Sequence, residues 1–176
     1  MHMLPQGPDN YTLLILDLDG TLVGRDEQIS ARVFDSIRMV AKRITVSIAT
    51  GREPADTLRF ADQLRLKAPL ICNNGAMIVD STTGRPLWSV PIGRERTKIV
   101  AKRLQSLGTS FIATHPGGTI TDPAKVAEQE VNRISALDLD ESRADQIILD
   151  LGTTSDLYAV KVFLPYNGLW AVDFTL

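Results

Sequence analysis

The 176-residue chain is predicted to be an α/β protein: a doubly wound parallel sheet followed by a smaller α+β unit. Short apolar runs alternate with helical patterns as far as Asp80, and each run ends in polar residues of the kind that line sheet-edge loops. From about Ser81 the texture changes to helices alternating with hairpins.

Leu13-Leu14-Ile15-Leu16 is continuously apolar and ends in an acid, the pattern of a strand buried in a parallel sheet. Ser30 is placed as a helix N-cap, with Val33, Phe34, Ile37, Val40 and Ala41 recurring behind it at helical spacing. A second apolar run, Ile44 to Ala49, ends at Thr50-Gly51-Arg52. Pro54 then sits where the first turn of a helix tolerates it, and Leu58, Ala61 and Leu64 continue that helix. The third run, Pro69 to Cys72, leads into Asn73-Asn74-Gly75. Ala76 to Val79 and Leu87 to Val90 read as a hairpin around Thr83-Gly84.

The later unit is expected to hold a helix from Arg94 to Leu107, a hairpin around Pro116-Gly117-Gly118 and a helix after Asp122-Pro123. A helix from Glu141 to Asp150 follows, then strands Leu157 to Leu164 and Leu169 to Leu176 joined across Pro165-Tyr166-Asn167-Gly168. The expected division is a core over residues 1–80, the α+β unit over 81–170, and a strand returning toward the core at 171–176.

Composition is that of a globular protein, 44% hydrophobic and 23% charged, with a formal net charge of -2 and no long single-sign run. Neither nucleic acid nor an acidic membrane surface is implied as a partner. No apolar stretch reaches the roughly 18 residues of a spanning helix, and Met1 to Asn10 lacks the basic-then-apolar order of a signal peptide. Cys72 stands alone, so a reducing, cytoplasmic setting is expected.

The chemistry centres on Asp17-Leu18-Asp19-Gly20-Thr21-Leu22, directly after the first strand. Two carboxylates emerge there at the carboxyl edge, where open α/β sheets bind ligands. Acids one residue apart divide the labour of phosphoryl transfer: one attacks phosphorus, the other protonates the leaving oxygen and later activates water. Both charges favour Mg²⁺, which offsets the repulsion between a carboxylate and a phosphate dianion. The bare tetrad also describes a simple turn. Thr50-Gly51-Arg52 opens a helix at the same edge, with a hydroxyl and free backbone amides suited to a phosphate; a helix cap followed by a solvated Arg is the plain alternative. Asn74 offers a side-chain amide at the third strand end, although Asn-Gly is equally a hairpin turn. Asp138-Leu139-Asp140 repeats the acid spacing without the Gly-Thr and reads as a loop, and His115 reads as an exposed turn residue. Trp88 and Trp170 are expected where the two units meet.

Asp-x-Asp-Gly-Thr-Leu after four apolar residues resembles the opening motif of the haloacid dehalogenase superfamily. Ala49-Thr50-Gly51-Arg52 and Asn74-Gly75-Ala76 resemble its Cof-type, or type IIB, members. The resemblance implies a Rossmann-like core with an inserted cap that closes over the site and selects the substrate. It implies Asp17 as nucleophile, Asp19 as general acid and base, both toward Mg²⁺, and Thr50, Gly51, Arg52 and Asn74 toward phosphate or substrate. The activity implied is Mg²⁺-dependent hydrolysis of a small phosphorylated metabolite, a sugar phosphate or phosphorylated cofactor. Phosphosugar mutation is an alternative. A Lys and a Gly-Asp…Asp segment expected after the cap are absent, so the core is expected to be incomplete, truncated after the cap. A non-catalytic phosphate-binding module is therefore the other reading, with a homodimer through the unpaired edge of the first strand.

Overall fold

A computed structural model describes residues 11–176 apart from 25, 127, 153–155 and 165–166. The expected lead-in over Met1 to Asn10, and the Pro165-Tyr166 half of the last turn, lie outside the described residues.

The first unit is built from β1 (Leu13–Asp17), α1 (Ala31–Val40), β2 (Thr45–Ala49), α2 (Pro54–Leu64), β3 (Leu70–Cys72), β4 (Met77–Val79) and β5 (Pro86–Ser89). Its strands stand in the order β1-β2-β3-β4-β5. The first three run parallel, and β4 and β5 add as an antiparallel hairpin. Local chemistry explains the boundaries. Ser30 accepts the Val33 N–H and caps α1, while Pro54 sits in the first turn of α2, where its missing N–H costs nothing. Arg65 closes α2 in the left-handed region at φ 55°.

Because β1, β2 and β3 step in one direction with right-handed crossovers, α1 and α2 fall on one face of the sheet. Ile37, Phe60, Ala61 and Leu64 form a single buried cluster there with Val46, Ile48, Leu14 and Leu16. The alternate residues of β1 point the other way, and Leu13 and Ile15 are 49% and 45% exposed. β1 is an edge strand, paired only with β2 among the described residues.

The second unit holds α3 (Arg94–Ser106), β6 (Phe111–His115), β7 (Gly118–Ile120), α4 (Pro123–Val126), β8 (Arg133–Leu139), α5 (Glu141–Gly152), β9 (Tyr158–Leu164) and β10 (Leu169–Thr175). Its sheet is antiparallel, in the order β7-β6-β8-β10-β9. Val100, Ala101 and Leu104 of α3 and Ala144, Ile147 and Leu151 of α5 pack on it around Ile134, Val172 and Phe174. No described helix is long and apolar enough to cross a membrane.

Several expectations need correction. Residues 171–175 do not return to the first sheet; they belong to β10, between β8 and β9, because Val172 and Phe174 fill the second core. Asp138 and Leu139 lie inside a strand that the sequence reading missed, and Asp140 accepts the Arg143 N–H at the start of α5. Trp170 packs edge-on to Phe163 within the second sheet, and Trp88 is half exposed on β5.

Candidate active site

Parallel strands that start together also end together, so the loops after β1, β2 and β3 meet at one edge of the sheet. The loop after β1 turns sharply: the Leu22 and Val23 amides both donate to the Leu18 carbonyl, and Gly20 takes φ 76°, which a glycine adopts without strain. Leu18 is fully buried and anchors the turn, which leaves Asp17 and Asp19 exposed on either side of it. Asp17 Oδ2 accepts the Thr21 hydroxyl at 3.0 Å. Asp19 is clasped by Arg52, whose Nε lies 3.0 Å from Oδ2 and whose Nη2 lies 2.6 Å from Oδ1.

The loop after β2 carries Thr50, Gly51 and Arg52. The Thr50 side chain is buried and its oxygen accepts the Arg52 N–H at 3.2 Å. Arg52 also donates through Nη2 to Glu27 at 3.0 Å, and Glu27 in turn takes 2.6 Å from Arg59. Asp19 raises the guanidinium pKa of Arg52 against the opposing effect of burial, so Arg52 is a permanent cation. Expected toward phosphate or substrate, it links the second Asp to Glu27 in this conformation.

The loop after β3 is a single 3-10 turn over Asn73–Gly75. Asn73 and Asn74 take φ 52° and 54° and Gly75 takes 92°, three successive left-handed residues that need support from outside the turn. Support comes from the neighbouring loop: the Asn73 N–H donates to Arg52 O and the Asn74 N–H to Thr50 O. The Asn74 side chain, expected to face substrate, donates instead to Asp173 Oδ2 of β10 at 2.9 Å. The turn alternative for Asn-Gly describes its backbone, and one amide hydrogen bond goes to the second unit.

Asp17, Asp19, Thr50, Gly51, Arg52 and Asn74 therefore come together at one edge, in three interlocked loops. A family model described as haloacid dehalogenase-like hydrolase matches residues 14–163. The chain belongs to that family. An HMP-PP phosphatase of Yersinia pestis (strain Pestoides F) is 28% identical over 113 residues, 64% of this chain and 41% of that protein. The chain thus spans less than half the length of the curated relatives it matches. The fold is shared with BT1666 from Bacteroides thetaiotaomicron, among the phosphatases of this superfamily, at TM-score 0.75 and 21% identity over 98% of this chain and 70% of that one. It is shared also with the subclass IIB sugar phosphatase BT4131, at TM-score 0.73 and 18% identity over 94% and 70%.

In this hydrolase fold the residues after Ser81 include the ones that sequence reading missed. Arg133 of β8 and Asp173 of β10 are buried and reach the loops after β2 and β3. For Asp173 a signal was available, since it interrupts the apolar run of β10; Arg133, the first residue of β8 after Asn132, gave none. Glu27 had no such signal. His115 accepts the Gly117 N–H in its own turn, and Lys161 is held by Asp145 and Glu141. A cleft of about 680 Å³ lies at the opposite edge, lined by Lys42, Arg43, Arg65 and Lys67 among others. Those cations follow the C-terminal ends of α1 and α2, where the helix dipoles explain them.

Glu27 offers a pH test of the ion network. Hydrogen bonds from Arg59, then Arg52, hold its carboxyl below its ordinary value near 4.5. A lowered carboxyl pKa stabilises the fold above the unfolded value and loses that contribution as pH falls through the folded one. Glu27→Gln is expected to melt below the wild type at neutral pH, with the two curves converging below about pH 4.5. Thermal melts across the acid range check this, and parallel curves throughout would contradict it.

Proposed function

We propose that the chain hydrolyses a small phosphomonoester, a sugar phosphate or a phosphorylated cofactor, through an aspartyl phosphate on Asp17. The observation that carries the reading is the convergence at one edge of an exposed carboxylate, Asp17, with the Thr50 hydroxyl and the start of α2. Phosphate oxygens are met by that hydroxyl and by the amides that open the helix. The Asp17 carboxylate attacks phosphorus as the ester P–O bond breaks, and the leaving oxygen takes a proton from Asp19. Water then attacks the phosphorus of the acyl phosphate and gives its proton to Asp19, releasing inorganic phosphate and restoring Asp17. Before it acts as an acid, Asp19 must exchange the Arg52 clasp for a proton, and Glu27, already bonded to the same Nη2, is the partner ready to keep Arg52.

Mg²⁺ fits the donor set. Asp17 is exposed, and its one hydrogen bond among the described residues is from Thr21. With the Asp19 backbone carbonyl it gives hard oxygen donors of the kind Mg²⁺ takes alongside water and phosphate. No group of three or more acids, His or Cys gathers among the described residues, so water and substrate would supply the other positions. When bound, the ion would neutralise charge between carboxylate and phosphate.

One observation favours a second reading, a phosphate-binding module without turnover. In this conformation both Asp19 oxygens are occupied by Arg52. Phosphate release from a panel of phosphate esters, with and without Mg²⁺, decides between them. Hydrolysis is expected to be Mg²⁺-dependent, abolished by Asp17→Asn, and slowed about 10²- to 10⁴-fold by Asp19→Asn. Tight phosphate binding with no turnover would favour the module. Activity untouched by Asp17→Asn would overturn both readings.

The unpaired edge of β1 and the exposed Leu13 and Ile15 also support self-association through that strand, as an isologous pair. Light scattering over a concentration series is expected to show a dimer that Ile15→Lys dissociates. A monomer at every concentration would contradict it.

A further inference from the structure

Arg133 and Asp173 are 8% and 6% exposed, and buried charges persist only when paired and hydrogen-bonded. A guanidinium that served only to neutralise a carboxylate would meet it as a two-pronged fork. This one does not. Arg133 Nη1 stands 3.6 Å from Asp173 Oδ2, too far for a hydrogen bond, and donates to the Gly51 carbonyl instead. Nη2 reaches Thr114 Oγ1 at 3.3 Å, while Nε is buried with no partner among the described residues. Asp173 is held by neutral donors, Ser135 Oγ at 2.6 Å and Asn74 Nδ2 at 2.9 Å.

The pair thus reaches Gly51 and Asn74, one residue in each of the two loops beside Asp17. Those loops already touch: a Cβ on Gly51 would lie 2.5 Å from Asn74 Oδ1, and Asn74 N–H donates to Thr50 O. Adjacent residues fasten the same junction. Asn132 Nδ2 donates to Ser89 Oγ and Val90 O, both at 2.8 Å, and the Ile92 N–H donates to Val131 O at 2.7 Å. Thr119 of β7 donates to Glu53, the residue that precedes α2.

We propose that Arg133 and Asp173 are positioning residues, which hold the Thr50–Arg52 loop and the strained Asn73–Gly75 turn in the shape that accepts phosphate. The second unit then does more than cover the site: without it the core loops lose their geometry. This inference rests on the reading of the Thr50 loop as a phosphate site, and its test has one arm that does not.

The test uses the full chain with Asp173→Asn, and with Arg133→Met/Asp173→Asn, which leaves no unpaired buried charge. Hydrogen exchange reads loop geometry without any ligand. Amides of residues 50–52 and 73–75 are expected to exchange at least about tenfold faster in the double variant, while β1 and α3 keep wild-type protection. Inorganic phosphate binding, by titration calorimetry, is expected to weaken about tenfold or more, toward the level of Thr50→Val. A double variant that melts earlier yet keeps wild-type exchange at both loops would overturn the proposal and leave the pair as adhesive between the units. If Asp173→Asn alone folds with unchanged loop exchange, the proposal also fails. Phosphate affinity indifferent to Thr50→Val would instead sink the phosphate-site reading, whatever the exchange data show.

Discussion

The contact on which the site depends is the one between Gly51 and Asn74. A hydrogen at position 51 leaves the room that the Asn74 side-chain oxygen fills, and any side chain there would collide with it. With Gly51 in place, the Asn73 and Asn74 amides reach the carbonyls of Arg52 and Thr50, and the loops after β2 and β3 become one unit. That unit supports two consecutive left-handed asparagines, a backbone whose cost of about 1–3 kcal/mol per strained residue must be met by surrounding bonds. The Asn74 amide, turned outward by this conformation, is what the second unit grips through Asp173.

Charge at the edge is arranged in two separate circuits. On the solvent side Asp19, Arg52, Glu27 and Arg59 form a chain of alternating sign, in which a largely buried Arg52 answers two exposed carboxylates at once. Such a chain is screened by water and salt, and its members exchange partners at small cost. Beneath the loops Arg133 and Asp173 form a buried circuit with neutral groups, where breaking one contact strands a charge. The adjustable circuit touches Asp19, the general acid and base of the proposed reaction. The rigid one touches backbone, amide and hydroxyl groups.

Much of the core was legible in the sequence because its signals are local. Leu13 to Leu16 ending in Asp17, the Ser30 cap, Pro54 in the first turn of α2 and the Asp-Gly-Thr turn each depend on neighbours within a few residues. The second unit was harder because its order depends on distant pairings. Nothing near Leu169–Thr175 says that it lies between β8 and β9, and Arg133–Leu139 was hidden as a strand because Asp138 takes φ 57° beside Leu139, where the ladder with β10 is irregular. The direction of the Asn74 amide was unreadable for the same reason, since its partner is 99 positions away. Arg133 and Asp173 were missed for the same reason, since each acts on a loop far away in sequence, although Asp173 does interrupt the apolar run of β10.

In the proposed reaction Asp17 carries the phosphoryl group, with Asp19 beside it moving protons. Acyl phosphates of aspartate are reduced by borohydride to homoserine, whereas free carboxylates are not. Quenching turnover with borohydride and mapping peptides by mass spectrometry is expected to find homoserine at position 17, only when a phosphate ester is present, with position 19 unchanged. Reduction at Asp19, or none at either residue during active turnover, would contradict the central claim.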